Sequence, residues 1–240
     1  AGELEPVVEL AADLLAGVLK LGPGGAVDRA VDAAAATIED AADAGADLLV
    51  THHGLVWGGL DRVTGREYGA VAALVEHDIA LYVAHLPLDG HPSLGNAAGL
   101  ADHLALGDQA AFGTIGPVTI GRQGRATEPY TPASLRERLA ELDTGGREPR
   151  VLDFGPERIE DVAVVTGSGV DWLDEAADAG VDALVTGEGK QQVYHAAREA
   201  GVTVALGGHY ATETFGVRRL ADLVAGWGVE TTTLSHPTGL

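Results

Sequence analysis

The segments AADAGADLLVT (residues 41–51) and AADAGVDALVT (residues 176–186) are identical at nine of eleven positions, at an offset of 135 residues. Each begins as an alanine-rich amphipathic helix, stops at a glycine and continues as a short apolar run. Apolar runs of this length are typical of strands that are buried on both faces of a parallel sheet. This repeated segment, called the echo below, predicts two related helix–strand units. We favour a duplication over the chance similarity of two alanine-rich connections.

The segments that flank each copy predict the same alternation of helices and strands. Beside the first copy we expect helices over 31–44 and 68–77 and strands over 47–51 and 79–85. Beside the second we expect helices over 172–179 and 191–200 and strands over 182–186 and 202–206. This alternation indicates an α/β fold of two related lobes with mostly parallel sheets and a ligand site between them.

The middle of the chain has a different character. Residues 110–150 are rich in glycine at first, and Thr131 then caps a helix that opens with Pro132 and stops at Gly145-Gly146. We expect a connector with one β element and one helix, which joins a first lobe, 1–109, to a second lobe, 151–240. The C-terminal part of the second lobe is expected to pack back on the first, and an opening helix is expected over 3–19.

The composition excludes several classes of function. The chain has 36 acidic and 15 basic residues, a net charge of −21, and such a field repels nucleic acids. Screening by concentrated salt would relieve this repulsion, which predicts a halophilic protein. No apolar run is long enough to cross a bilayer, and residues 1–10 lack the basic start of a secretion signal, so we expect a cytoplasmic location. Because there is no cysteine, any transition metal must bind His, Asp and Glu.

Four histidines lie at or just beyond the ends of predicted strands, where α/β sheets bind ligands. His52 and His53 follow the first apolar strand, and we expect the pair to leave the strand so that each side chain serves a different metal ion. His85 ends another strand, and Asp89 lies four residues later beyond Pro87, which favours an extended backbone. A carboxylate at Asp89 could bridge two cations, although an Asp in such a segment is more often a turn residue.

The second copy of the echo leads to further candidates. His209 and Glu213 are four residues apart after a strand that ends in two glycines, so they share one face if a helix starts near Tyr210. Glu188 occupies the position that matches His53, where it could act as acid or base, or be only a surface carboxylate. The turn TGSGVD (166–171) is a weak candidate for a phosphate site. A donor set of nitrogen and oxygen suits Fe, Zn, Mn, Ni or Co, and two such ions would support hydrolysis.

The motifs LLVTHHG, AHLPLDGHPSLGN, LVTGEGKQQVYHAARE and GGHYATE together resemble the dinuclear metal-centre proteins known as GTP cyclohydrolase 1 type 2 homologues. The resemblance runs from about residue 47 to the C-terminus, is weaker over 110–150, and points to a halophilic archaeal member. It implies two divalent metal ions, bound by His52, His53, Asp89, His209 and Glu213. It also implies two α/β lobes and a toroidal homohexamer. The expected Asn-Gly-Leu segment near the N-terminus is replaced by GVLKLGPGG.

The resemblance implies a hydrolase in which metal-activated water attacks the purine ring of a nucleotide such as GTP. The acidic surface argues mildly against a triphosphate, although Arg62 or Arg66 could offset it locally. Two alternatives remain open, namely a metal-binding or metal-carrier protein without catalysis, and a phosphoesterase that uses the same two ions.

Overall fold

The computed structural model describes residues 25–56, 58–59 and 61–240. The opening helix expected over 3–19 lies outside these residues. The chain divides into two compact units. The first is formed by the described part of Ala1–Leu88 together with Gly216–His236, and the second by Asp89–Phe215 together with Pro237–Leu240. The boundaries drawn from the sequence, 1–109, 110–150 and 151–240, stay a prediction.

The first unit contains a four-stranded sheet in which all neighbours are parallel, in the order β10-β1-β2-β3. Its strands are β1 (Ala26–Asp32), β2 (Leu48–His53), β3 (Ala80–Val83) and β10 (Glu230–Thr233). Helices α1 (Ala35–Ala44) and α2 (Gly65–Glu76) connect the first three strands. Their apolar faces and the sheet enclose a core centred on Ile38, Leu49 and Leu74. Because the strands are parallel, their carboxyl ends share one edge of the sheet.

The second unit contains a six-stranded mixed sheet in the order β4-β5-β7-β8-β9-β6. Its strands are β4 (Leu106–Ile115), β5 (Val118–Tyr130), β6 (Arg150–Leu152), β7 (Ile159–Val165), β8 (Ala183–Thr186) and β9 (Thr203–Leu206). Strands β7, β8 and β9 are parallel, and the other pairs are antiparallel. The helices are α3 (Leu86–Gly90), α4 (Asn96–His103), α5 (Pro132–Leu139), α6 (Leu173–Asp178), α7 (Val193–Ala200), α8 (His209–Thr212) and α9 (Thr214–Ala225). The start of α3 and most of α9 belong to the first unit.

The two copies of the echo form the same local structure. Residues 41–51 include the end of α1 and most of β2, and residues 176–186 include the end of α6 and all of β8. A left-handed glycine separates helix from strand in each copy, Gly45 with φ 75° and Gly180 with φ 72°. Each strand is the middle one of three parallel strands, β1-β2-β3 and β7-β8-β9. The α/β class predicted from these segments is therefore confirmed in both units.

Two expectations about secondary structure were wrong. The segment from residue 31 begins as strand rather than helix, since Asp32 ends β1 and α1 starts only at Ala35. The glycine-rich start of the connector is not one β element but a hairpin of two long strands, β4 and β5, which turns at Gly116 in the left-handed region. Thr131 does cap α5, in a capping box with Ser134, and the helix ends at Leu139.

In the part of the chain that the structure describes, no helix combines the length and the apolar character needed to span a bilayer.

Candidate metal centre

His52 and His53 are the last two residues of β2, and both are buried, with 0% and 5% of their surface exposed. The expectation that the pair has left the strand was therefore wrong. Nδ1 of His52 donates to the carbonyl oxygen of Ala84 at 2.9 Å, and Nδ1 of His53 donates to the carboxylate of Asp32 at 2.8 Å. A carbonyl oxygen can only accept, so the proton of His52 is on Nδ1 and Nε2 carries the lone pair.

The position of Asp32 follows from the parallel register of the sheet. Asp32 is the last residue of β1 and pairs directly with His53 in the neighbouring strand. The carboxylate thus lies beside the imidazole at the carboxyl edge of the sheet. A carboxylate that accepts from the second nitrogen of a histidine is the usual outer partner of a metal ligand, because it fixes the tautomer and raises the basicity of the ring.

His85 lies at the same edge of the first unit, two residues beyond β3. The ligand nitrogens of His52, His53 and His85 are within 4.8 Å of one another. His85 is exposed, whereas the other two rings are buried. A cavity of about 640 Å³ opens beside His53 and His85, and its remaining lining is mostly aliphatic, with Leu55, Val56, Leu81 and Val83.

In the second unit, α8 begins at His209 and is followed by the buried Glu213. The Nε2 of His209 is 3.2 Å from Oε2 of Glu213, so the structure brings together the pair that the sequence put on one helical face. Gly167 makes this approach possible, since a Cβ at this residue would be 2.3 Å from Oε1 of Glu213. The turn considered as a phosphate site instead packs against these two side chains.

Glu188 lies just beyond β8 and contacts the other side of His209. Nδ1 of His209 is 3.2 Å from Oε1 of Glu188, which also accepts a hydrogen bond from the Ser168 hydroxyl. This bond from Ser168 lowers the pKa of Glu188, and His209 adds to the effect against the opposing influence of burial. Burial lowers the pKa of His209, but the hydrogen bonds and charges of Glu213 and Glu188 outweigh it and raise the pKa to about 9.

Asp89 is 8% exposed and lies in the short helix α3. The expectation that Pro87 holds this segment extended was wrong, because Pro87 takes part in a helical turn. Oδ1 of Asp89 accepts from Nδ2 of Asn96 at 3.1 Å and from the Thr166 hydroxyl at 3.2 Å. Since a carboxylate oxygen has two lone-pair sites, Oδ1 already uses its acceptor capacity. This arrangement disfavours the bridging of two cations by both oxygens of Asp89. A ligand oxygen of Asp89 nevertheless lies within 4.8 Å of one from Glu213.

The donor chemistry in each unit fits a divalent metal ion. In the first unit Nδ1 of each buried histidine, His52 and His53, donates a hydrogen bond to an oxygen, so Nε2 is the atom that would bind a metal ion. In the second unit two carboxylates flank His209 and raise its pKa to about 9, so the surroundings favour positive charge. A site that stabilises an imidazolium in this way also stabilises a metal cation in place of the Nε2 proton.

Several residues of these clusters were missed by the sequence reasoning. Asp32 and Thr166 reach the candidate ligands His53 and Asp89 from distant parts of the chain, and Asn96 reaches Asp89 from seven residues away. Asn96 closes the quoted motif AHLPLDGHPSLGN, which was the only local signal. Asp32 gave none, because it is one of 36 acidic residues and was assigned to a helix.

The similarity to known proteins extends over almost the whole chain. A model of the Duf34/NIF3 (NGG1p interacting factor 3) family matches residues 26–238. The GTP cyclohydrolase 1 type 2 homolog of Halobacterium salinarum is 59% identical over 234 residues, 95% of this chain and 92% of that protein. The homolog of Archaeoglobus fulgidus is 38% identical over 212 residues, 88% of this chain and 84% of that protein.

Solved structures agree with these relatives. The crystal structure of TTHA1606 from Thermus thermophilus matches with a TM-score of 0.80 and 37% identity, over 90% of this chain and 85% of that one. Protein ybgI matches with a TM-score of 0.81 and 35% identity, over 90% of this chain and 86% of that one. The resemblance inferred from the motifs is confirmed, and the chain belongs to the Duf34/NIF3 family.

Proposed function

We propose that the chain binds two divalent metal ions through His52, His53, Asp89, His209 and Glu213, and that it is a metal-dependent hydrolase. One observation carries the proposal. The Nδ1 atoms of His52, His53 and His209 each face an oxygen acceptor, namely Ala84, Asp32 and Glu188. Three histidines oriented in the same way by outer partners are typical of metal ligands and uncommon among histidines that serve only packing.

The ligand atoms follow from these contacts. The imidazoles would hold the ions through Nε2, and Asp89 would do so through its carboxylate, of which Oδ1 accepts from Asn96 and Thr166. Oε2 of Glu213 contacts Nε2 of His209, and Glu213 would be a carboxylate ligand of the same site. A set of imidazole nitrogens and carboxylate oxygens suits Fe, Zn, Mn, Ni or Co.

When bound, two such ions polarise an electrophile and lower the pKa of water. The protein's own contribution to hydrolysis centres on Glu188. Its carboxylate can accept a proton as a general base, although its lowered pKa makes it a weaker base than a free glutamate, and its side chain is 43% exposed, so it can exchange that proton with solvent. Glu188 also holds Nδ1 of His209 and thereby fixes the direction of Nε2.

The substrate that we propose is a nucleotide, hydrolysed at its purine ring. Relatives carry the name GTP cyclohydrolase 1 type 2 homolog. The aliphatic cavity beside His53 has a volume of about 640 Å³, which admits a planar ring. A second cavity shares Leu55 and Val56 with it and is bordered by Arg62 and Arg66, and also by Asp61 and by Glu67, which pairs with Arg66. Arg62 and Arg66 are the groups there that would contact phosphates.

Turnover by the metal-loaded protein tests the enzyme proposal. The chain is purified in high salt, loaded with Mn, Fe, Zn, Ni or Co, and assayed with GTP, other nucleotides and phosphoesters. We expect purine-ring opening that is lost in His53→Ala and Glu213→Gln and kept in His195→Ala, an exposed histidine on α7. Stoichiometric metal without turnover of any substrate contradicts the hydrolase and supports a metal carrier. Turnover of phosphoesters alone supports the phosphoesterase.

We also propose, from the family resemblance, that the chain assembles as a homohexamer. Light scattering in molar KCl should then give six times the chain mass of 24.5 kDa. A monomeric mass over the working concentration range contradicts this assembly.

A further inference from the structure

The first unit places three imidazoles, not two, at the carboxyl edge of its sheet. The ring centroids of His52 and His53 are 4.7 Å apart, and the ring of His85 is 5.0 Å from the first and 5.3 Å from the second. The sequence reasoning noted His85 at a strand end but did not include it among the metal ligands, and neither did the family resemblance. The compact triangle of rings makes His85 a candidate for metal binding.

The backbone that orients His52 also positions His85. The carbonyl oxygen of Ala84 accepts the hydrogen bond from Nδ1 of His52, and the peptide that contains this carbonyl leads directly into His85. The amide of Ala84 in turn donates to the carbonyl oxygen of Thr51, next to His52 in β2. Two neighbouring strands therefore fix the Cα of His85 relative to the buried pair, and its ring is exposed beside them.

The spacing of the three ligand nitrogens can be compared with the spacing around a single ion. Two nitrogens bound to one tetrahedral ion at the usual bond lengths are ~3.4 Å apart. The ligand nitrogens of the three histidines are already within 4.8 Å of one another. Binding to one ion would draw these nitrogens together by about 1.4 Å at most.

The cavity decides which ion His85 would reach. His53 and His85 both line the aliphatic cavity of about 640 Å³, whereas His52 is fully buried and does not line it. We infer that His85 is a further nitrogen ligand of the ion held by His53, bound on the cavity side. This inference rests on the proposed metal-binding function. An exposed ligand at the mouth of a cavity is also the one that an entering substrate can displace.

The test uses Co²⁺, whose visible absorption reports on the number and type of its ligands, and needs no turnover. The full chain is titrated with Co²⁺ in molar KCl as wild type, as His85→Ala and as His77→Ala, an exposed histidine at the end of α2. We expect His85→Ala to weaken the binding of one ion at least about tenfold and to shift its absorption bands, because loss of a direct ligand costs more than loss of an outer partner. His77→Ala should match the wild type.

Chemical rescue distinguishes a lost ligand from a disturbed fold. Free imidazole fits the cavity beside position 85 and should restore the wild-type absorption bands in His85→Ala, but change nothing in His77→Ala. Wild-type affinity and bands in His85→Ala, or a spectral change that imidazole leaves uncorrected, overturn the inference. If the wild type binds no Co²⁺, the proposed metal-binding function itself fails.

Discussion

Among single residues, the carboxylate of Asp32 has the most direct influence on a candidate ligand. It accepts from Nδ1 of His53 at 2.8 Å and is itself about one third exposed. In Asp32→Asn the shape is retained but the negative charge is lost, so Nε2 of His53 becomes a weaker donor. We expect metal affinity to fall about 10- to 100-fold, measured by isothermal titration with Mn²⁺ or Zn²⁺.

Asp40→Asn is the matched control for this experiment. Asp40 also faces a histidine of the first unit, His236, at 3.0 Å, but neither residue is a candidate ligand. Its metal affinity should equal that of the wild type. Equal losses in the two variants would show that Asp32 acts through the overall charge rather than through His53.

Asp28 in β1 illustrates the opposite case, a buried carboxylate that opposes folding. It is 2% exposed, and among the described residues its Oδ2 has no hydrogen-bond partner. Burial raises the pKa of Asp28, against the lowering effects of the Thr232 hydrogen bond and of Arg29. Because the folded pKa lies above the unfolded one, ionised Asp28 costs stability, and this cost grows as the pH rises through the folded pKa.

We therefore expect Asp28→Asn to raise the free energy of unfolding at neutral pH, by roughly 1 kcal/mol or more. The gain should vanish near pH 3, where the carboxyl is protonated in both the folded and the unfolded state. Denaturant unfolding in molar KCl at the two pH values measures it. Glu39→Gln removes one charge on the exposed face of α1 and corrects for the change in net charge. A neutral-pH gain no larger than that of Glu39→Gln contradicts the prediction.

At the scale of elements, the turn after β7 leaves room for the Glu213 carboxylate beside the backbone of Gly167. Gly167 has φ 61° and a Cβ there would be 2.3 Å from Oε1 of Glu213, whereas Gly180 has φ 72° and nothing within 4 Å. Each of the substitutions Gly167→Ala and Gly180→Ala places an alanine in the left-handed backbone region, which costs about 1 to 2 kcal/mol of stability. Only Gly167→Ala must also displace the carboxylate of a candidate ligand.

We expect Gly180→Ala to lose stability but keep its metal, and Gly167→Ala to lose both. Thermal unfolding and the metal content of each purified variant measure the two effects separately. Full metal content in Gly167→Ala would mean that Glu213 does not bind metal in the conformation observed.

The elements also show why part of the structure was predictable. The echo at 41–51 and 176–186 carries its own periodicity and glycine stops, so both helix–strand units were recognisable. Strand β1 was missed because AVDRAVD contains two Asp and one Arg within a run rich in alanine, and its strand form depends on pairing with β2 and β10. The partnership of Asp32 and His53 depends on the same register and has no local signal.

The candidate ligands were more predictable than their orientation. His52, His53, His209 and Glu213 stand in short motifs at strand ends, and Asp89 follows His85 by four residues, where a metal ligand and a turn residue were both open until the family resemblance favoured the ligand. The bonds from Asn96 and Thr166 to Asp89 join residues 7 and 77 positions apart, which only the folded chain brings together. The sequence therefore left open whether Asp89 bridges two cations or is only a turn residue, because these donors were not known.

For the whole molecule, the net charge of −21 on 240 residues sets the conditions of stability. Self-repulsion weakens as the Debye length falls from about 10 Å at 0.1 M salt to about 3 Å at 1 M. The melting temperature should therefore rise by several degrees between dilute and molar KCl, as followed by circular dichroism. Sucrose at matched osmolality should give a smaller rise. A melting temperature that does not change with KCl excludes a halophilic adaptation.

Metal content per chain is the most direct test of the two-ion proposal. The wild type and His209→Ala are loaded with Mn²⁺ or Zn²⁺ in molar KCl, desalted, and analysed by inductively coupled plasma mass spectrometry. The account predicts two ions per chain in the wild type and a clear reduction in His209→Ala, while circular dichroism shows that the variant is folded. Equal metal content in the folded variant and the wild type would contradict it.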